Sequence, residues 1–270
     1  MDIARQMIES AANFCGAQAV KFQKRDNKSL LPPEQYNAPH PVPDNSYGST
    51  YGQHREYLEF SVDQHRELKQ FCDKVGVIYS TSVWDTKSAH DIISLDPEFI
   101  KVPSASNLHF EMLGTLCDHY QGKIQLSLGM TTRNEEEDIV SFFEDKGRSQ
   151  DLLLYACTSG YPVPSEDIAL LEITRLQKQY GSRVEAIGFS GHHLGIALDI
   201  AAYTLGASWI ERHFTFDRTW KGTDHAASLE PGGLRKLVRD LGATHKALSH
   251  KTEEILPIEV ETRKKLKWKK

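Results

Sequence analysis

Two lysines sit inside short apolar segments, Lys21 in AVKFQ and Lys101 in FIKVPS. An ammonium group buried in such a setting is costly unless it meets an anion. That anion is either a carboxylate of the chain itself or a bound ligand. Short hydroxyls stand at the ends of similar segments: Ser80 and Thr81, Ser104, Ser127, Thr158 and Ser159, and Ser190. Ammonium charges with hydroxyl donors suit a phosphate or a carboxylate, and several on one rim favour the ligand. His192 follows AIGFSG, and His213 lies in WIERHFT. Two imidazoles on neighbouring strand ends can hold a divalent transition metal and leave positions open for water and substrate. Either histidine alone would read as structural, and His193 is a decoy beside the first. Asp224, in TWKGTDHAASLEP, reads equally as an acceptor for substrate hydroxyls and as a turn aspartate. Gln23, Tyr161 and Glu211 complete the polar strand ends.

The elements that must position these residues alternate regularly. Short apolar runs predict strands over 17–23, 77–83, 99–104, 123–129, 152–157, 186–191 and 209–215, each the kind buried on both faces of a parallel sheet. Ser61 with Gln64 and Thr132 with Glu135 are capping boxes, and Asp85 and Ser165 are candidate N-caps. Gly76, Gly181 and Gly206 stand where helices should stop. The run 195–205, GIALDIAAYTL, is nearly all apolar and predicts a well-buried helix. The reading gives seven strands and eight helices, the first helix over 2–14 with no strand before it. Strict alternation implies right-handed crossovers. A closed (β/α)8 TIM-type barrel needs eight strands, so the expectation is such a barrel lacking its first strand. The barrel domain spans 1–250, and 251–270 is a basic, solvated tail ending RKKLKWKK. The connection 24–60, rich in Pro and Gly with Tyr36, Tyr47, Tyr51 and Tyr57, is long enough to be a functional lid.

Composition excludes several classes. Of 270 residues, 39% are hydrophobic and 26% charged, enough for a core and a charged surface, which argues against broad disorder. No apolar run is long enough to span a membrane, and residues 1–15 are too charged for a signal peptide, so a cytoplasmic protein is expected. A net charge of −5 argues against a nucleic-acid partner. Cys15, Cys72, Cys117 and Cys157 are widely spaced and read as reduced thiols.

Taken in order, GAQAVKFQK (16–24), STYGQHREYLEFS (49–61), FIKVPSASN (99–107), SLGM (127–130), CTSGYPVPSED (157–167), GFSGHHLGIA (188–197) and ERHFTFDRTWKGTDHAASLEP (211–231) resemble the sialic acid synthase family, the NeuB-like enzymes. The resemblance implies a (β/α)8 barrel that condenses phosphoenolpyruvate with an open-chain N-acetylhexosamine, usually N-acetylmannosamine, giving a nonulosonic acid and phosphate. It implies that Lys21, Thr81, Lys101, Ser104, Ser127 and Ser190 hold the phosphoenolpyruvate. Lys21, Lys101, His192 and His213 would be catalytic, the two histidines binding Mn2+ or Mg2+. Gln23, Tyr161 and Asp224 would contact the sugar. Such enzymes are usually homodimers, so the same assembly is expected here.

The sequence departs from the family pattern in three places. The first strand of the family, with its glutamate–glycine and asparagine–histidine motifs, does not precede the first helix here. Ser106 stands where an acidic residue is frequent, and Ser159 where bacterial relatives often carry asparagine. The antifreeze-like domain that often follows the barrel is not expected after Lys270. The same chemistry with a legionaminate-, pseudaminate- or Kdn-type acceptor fits these residues too. A non-catalytic sugar- or metal-binding remnant and a Schiff-base lyase or aldolase using Lys21 or Lys101 are the readings outside this class.

Overall fold

Seven parallel strands pair in simple chain order: β1 (Ala19–Lys24), β2 (Ile78–Val83), β3 (Phe99–Val102), β4 (Lys123–Ser127), β5 (Leu152–Cys157), β6 (Ala186–Gly191) and β7 (Trp209–Arg212). The computed structural model describes residues 1–268. The register places Lys21 beside Ser80, Ser82 beside Lys101, Lys101 beside Gln125, and Ser190 beside Glu211. Side chains alternate across a strand, so these residues share one face. The opposite face is apolar and buried, with Val83, Ile100, Val102, Ile124, Leu126, Leu152, Leu154 and Ile187 packed under the helices.

The chain begins with α1 (Asp2–Glu9), continued by a π-helical turn, Ser10–Cys15, that ends at Gly16 with a left-handed φ of 76°. Three short helices follow β1: α2 (Asn27–Leu30), α3 (Pro33–Asn37) and α4 (Tyr51–Tyr57). Then come α5 (Val62–Val75), α6 (Thr86–Ile93), α7 (Phe110–His119), α8 (Arg133–Asp145), α9 (Leu171–Tyr180), α10 (Ala197–Thr204), α11 (Pro231–Ala247) and α12 (Pro257–Leu266). Both capping boxes and the Asp85 cap form as the sequence predicts. Helices α1 and α5 to α11 make the eight-helix layer.

The sheet curls strongly. The Phe99 and Trp209 rings, from β3 and β7, meet edge-to-face at 5.5 Å. Lys21 of β1 and Glu211 of β7 stand 3.9 Å apart although their strands do not pair. The outer layer spans this opening: Cys15 Sγ donates to the Pro231 carbonyl, and Arg235 lies over Phe14. The architecture is a curled, open half-barrel of seven parallel strands clad in helices.

Several expectations need correction. Ser165 begins a short 3-10 turn, and α9 starts only at Leu171, because Pro164 and the left-handed Ala169 interrupt the segment. The apolar run 195–205 is only partly covered, with Asp199 and Ala202 the buried residues of α10. The connection 24–60 carries helices where a loop was expected. The tail contains α12, and its last residues, Lys269 and Lys270, lie outside the described residues. Among the described residues no helix is long and apolar enough to cross a membrane.

Candidate active site

The shared face carries its charges at the strand ends. The Lys101 ammonium lies 3.3 Å from both oxygens of Glu211, over the Tyr155 ring at 3.4 Å. Lys21 donates to Ser82 Oγ at 2.8 Å and reaches the same carboxylate. Ser190 Oγ also donates to Glu211, at 3.0 Å. Glu211 is thus the common counter-ion of both lysines. Burial pushes the Lys101 ammonium down to about 8, with Glu211 opposing. Burial alone would raise the Glu211 carboxyl; Lys101 and Lys21 outweigh it and bring it down to about 2. An incoming anion would meet two ammonium groups already oriented, Lys101 buried and Lys21 half-buried.

Hydroxyls converge on the same mouth. Ser104 Oγ accepts from the Gly129 N–H at 3.0 Å, and Ser127 is the buried last residue of β4. Gly129 has a specific reason to be glycine: an added Cβ would lie 2.4 Å from Ser159 Oγ and 2.7 Å from Ser104 Oγ. Backbone and two hydroxyls therefore close on one small space. Thr81 is not among them. It is in register with Phe22 and Ile100 on the helix-covered face, wholly buried, and donates to Tyr79 OH at 2.6 Å. Ser82, one residue on, takes the inward position. The strand period of two decides this, and the choice is invisible until register is known.

His192 and His213 do come together, with ring centroids 5.2 Å apart and nearly perpendicular. Tyr161 packs against both, at 4.4 and 5.6 Å. His192 Nδ1 lies 2.9 Å from the Thr158 carbonyl. A carbonyl can only accept, so Nδ1 carries the proton and Nε2 keeps its lone pair. Burial lowers the pKa of both rings, that of His213 to about 4 with Asp224 opposing. Neutral imidazoles with a free nitrogen fit a divalent metal. Among the described residues no group of three or more His, Cys, Asp or Glu could complete a cage, so further positions would fall to water and substrate. His193 points elsewhere, into a buried cluster with Asp199 and Arg212 on the outer side.

Asp224 Oδ2 stands 3.6 Å from His213 Nδ1, so the loop after β7 returns to the site. Gln23 lies on the inward face of β1, in register with Ser82, and its buried Oε1 has no hydrogen-bond partner among the described residues. The lid reaches across the mouth: Tyr47 OH donates to the Lys221 carbonyl, and the Lys221 ammonium lies 4.9 Å from the Tyr47 ring. Sequence reasoning missed the roles of Glu211, Ser82 and Gly129. For Glu211 a signal existed: an acidic residue in an apolar strand presents the same burial problem as the two lysines. Cys157, read as one of four reduced thiols, lies beside Ser104 at 3.8 Å, and all four cysteines are free thiols.

Known proteins resemble this chain in sequence and in fold. The model of the NeuB family matches residues 7–253. The chain is 36% identical to human N-acetylneuraminate-9-phosphate synthase over 266 residues, 98% of this chain and 72% of that protein. It is 30% identical over 249 residues to N,N'-diacetyllegionaminic acid synthase of Campylobacter jejuni, covering 92% and 73% of the two chains. The crystal structure of an N-acetylneuraminic acid synthetase from Leptospira borgpetersenii, in complex with citrate, superposes with a TM-score of 0.80 at 27% identity, covering 99% of this chain and 88% of that one.

Proposed function

The chain belongs to the NeuB family, and on that premise we propose that it is a transferase that makes a nonulosonic acid from phosphoenolpyruvate and an open-chain N-acetylhexosamine. The observation that carries this reading is the meeting of Lys21 and Lys101 on one inward carboxylate, Glu211, with hydroxyls around them. Lys21, Lys101, Ser82, Ser104, Ser127 and Ser190 hold the phosphate and carboxylate of phosphoenolpyruvate, with the Gly129 N–H in the same cradle. Gln23, Tyr161 and Asp224 orient the sugar. A divalent metal, Mn2+ or Mg2+, held by His192 and His213 would supply Lewis-acid polarisation of the sugar aldehyde. C3 of phosphoenolpyruvate attacks that aldehyde carbon, leaving an oxocarbenium-like centre at C2. Water adds to C2, and phosphate departs with its bridging oxygen as the C–O bond breaks. The lysines stabilise charge on the leaving phosphate, and Glu211 offsets the positive centre and keeps both ammonium groups aimed. The seven strands then correspond to a (β/α)8 barrel lacking one strand between β7 and β1, an assignment that the eight-helix layer supports.

The test is phosphate release from phosphoenolpyruvate with N-acetylmannosamine, its 6-phosphate or a diacetylated hexosamine, in Mn2+ and after EDTA. Release with an acceptor that stops on chelation supports the synthase. Silence with every acceptor and metal sinks it. Borohydride trapping of pyruvate on Lys101 would move the assignment to Schiff-base chemistry.

A further inference from the structure

The Lys101 ammonium has an aromatic floor. The ring of Tyr155, from β5, has its centroid 3.4 Å from Nζ, well within the range at which a ring face attracts a cation. Both side chains are buried. Three features set the ring in place. Its hydroxyl donates at 2.9 Å to Gln125 Oε1, from the strand between β3 and β5. Gly188 of β6 leaves room for it, since an added Cβ would lie 2.8 Å from two carbons of the ring. The register sets its height: Lys101 pairs with Gln125 and Gln125 with Leu153, so Tyr155 stands one inward step nearer the strand ends. The lysine side chain therefore leans toward the mouth to reach its ring.

The ring answers a charge problem. Two ammonium groups share one carboxylate, Glu211, and Lys101 is the deeper of the two. The titratable groups that act on Lys101 are Glu211 from β7, Lys21 from β1 and Cys157 from β5. A second carboxylate beside Lys101 would balance the charge, and it would also repel an anionic substrate. An aromatic face favours the ammonium form through its quadrupole and brings no net charge. Burial raises the Tyr155 phenol well above its ordinary pKa, so it stays neutral. Its one donor is engaged by Gln125, which leaves the ring face as what Tyr155 offers the site.

We propose that Tyr155 is a positioning residue whose ring, set by Gln125 and Gly188, holds the Lys101 ammonium at the mouth where phosphoenolpyruvate binds. The identity of that anion rests on the synthase reading, and the geometry rests on the contacts of Lys101 alone. Tyr155 acts through the lysine rather than on the substrate.

The experiment compares the wild type with Tyr155→Phe, which keeps the aromatic face, and with Tyr155→Leu and Tyr155→Met, which fill the floor without one. In steady-state kinetics the two aliphatic variants should raise KM for phosphoenolpyruvate by about 10-fold, the effect of losing a desolvated cation–π contact, and leave KM for the acceptor sugar within about twofold. Tyr155→Phe should recover most of the affinity. Equal losses in the aromatic and aliphatic variants, or a KM for phosphoenolpyruvate that none of them changes, overturn the proposal. A second readout needs no turnover. In enzyme isotope-labelled at the lysine Cε, the Lys101 signal (assigned by its loss in Lys101→Arg) should show an upfield ring-current shift in the wild type and in Tyr155→Phe. The aliphatic variants should lose that shift. The titration midpoint of this signal, about 8 in the wild type, should fall by about one pH unit without the ring face, because the ammonium form loses a partner. If these changes appear while no acceptor turns over, the synthase reading fails and Tyr155 still positions Lys101. A signal and midpoint common to the wild type and all three variants overturn the proposal whether or not the enzyme turns over.

Discussion

Adjacent hydroxyls on β2 have opposite duties, and the difference of one position can be measured. Ser82 accepts from Lys21 and is in register with Lys101. Thr81 faces the helices and donates to Tyr79. Ser82→Ala should raise KM for phosphoenolpyruvate and lower kcat/KM by about 10-fold, the effect of one hydrogen bond to a charged group. Thr81→Val should leave turnover at 25 °C intact and cost about 1 kcal/mol of stability, because it removes one buried hydrogen bond. Steady-state kinetics and urea unfolding on both variants check this, and equal kinetic losses in the two would contradict the assignment of faces. The residue types were legible in the sequence: lysine in an apolar run is an anomaly in any register. Their partners were not, because Glu211 lies 110 residues from Lys101 and meets it only across the curl of the sheet.

At the scale of the element, local chemistry read well and tertiary context read poorly. The capping boxes at Ser61 and Thr132 need only residues three apart, and both formed. The apolar stretch 195–205 predicted burial that α10 only partly achieves, because composition does not reveal how many neighbours a helix will have. The junction of α5 with β2 carries a pH-dependent term. His65 is fully buried on α5, with Nδ1 2.8 Å from Tyr79 OH. Burial lowers its pKa from 6.5 to about 4. Because the folded pKa lies below the unfolded value, the unfolded chain takes the proton first as the solution is acidified. Stability from keeping this ring neutral is complete above 6.5 and is lost as pH falls towards about 4. Linkage gives about 2 kcal/mol lost between pH 7 and pH 5. His65→Phe should remove that increment, so unfolding free energies measured at the two pH values should differ by about 2 kcal/mol less than in the wild type. An undiminished difference would mean that other groups carry the acid sensitivity.

The whole molecule holds its ring differently in its two layers. The strands leave an opening between β7 and β1, while the turn after α1 and the start of α11 close the outer layer through Cys15, Phe14 and Arg235. The lid then ties β1 to the loop after β7 through Tyr47 and Lys221. Cohesion therefore depends on residues up to the end of α11. Helix α12 is outside this closure: it buries no residue, Ile258 is 85% exposed and Leu266 78%. Its ion pairs, Lys251 with Glu259 and Lys264 with Glu261, join exposed groups near each other in sequence and stabilise little. Residues 1–250 alone should then melt within about 2 °C of the full chain, the shift that a surface change of ~0.5 kcal/mol produces in a molecule this size. Phosphate release at equal protein concentration should also match. A fall on the order of 10 °C would require α12 to pack somewhere that buries several side chains. A loss of activity without a loss of stability would instead place the basic segment at the mouth, beside the lid.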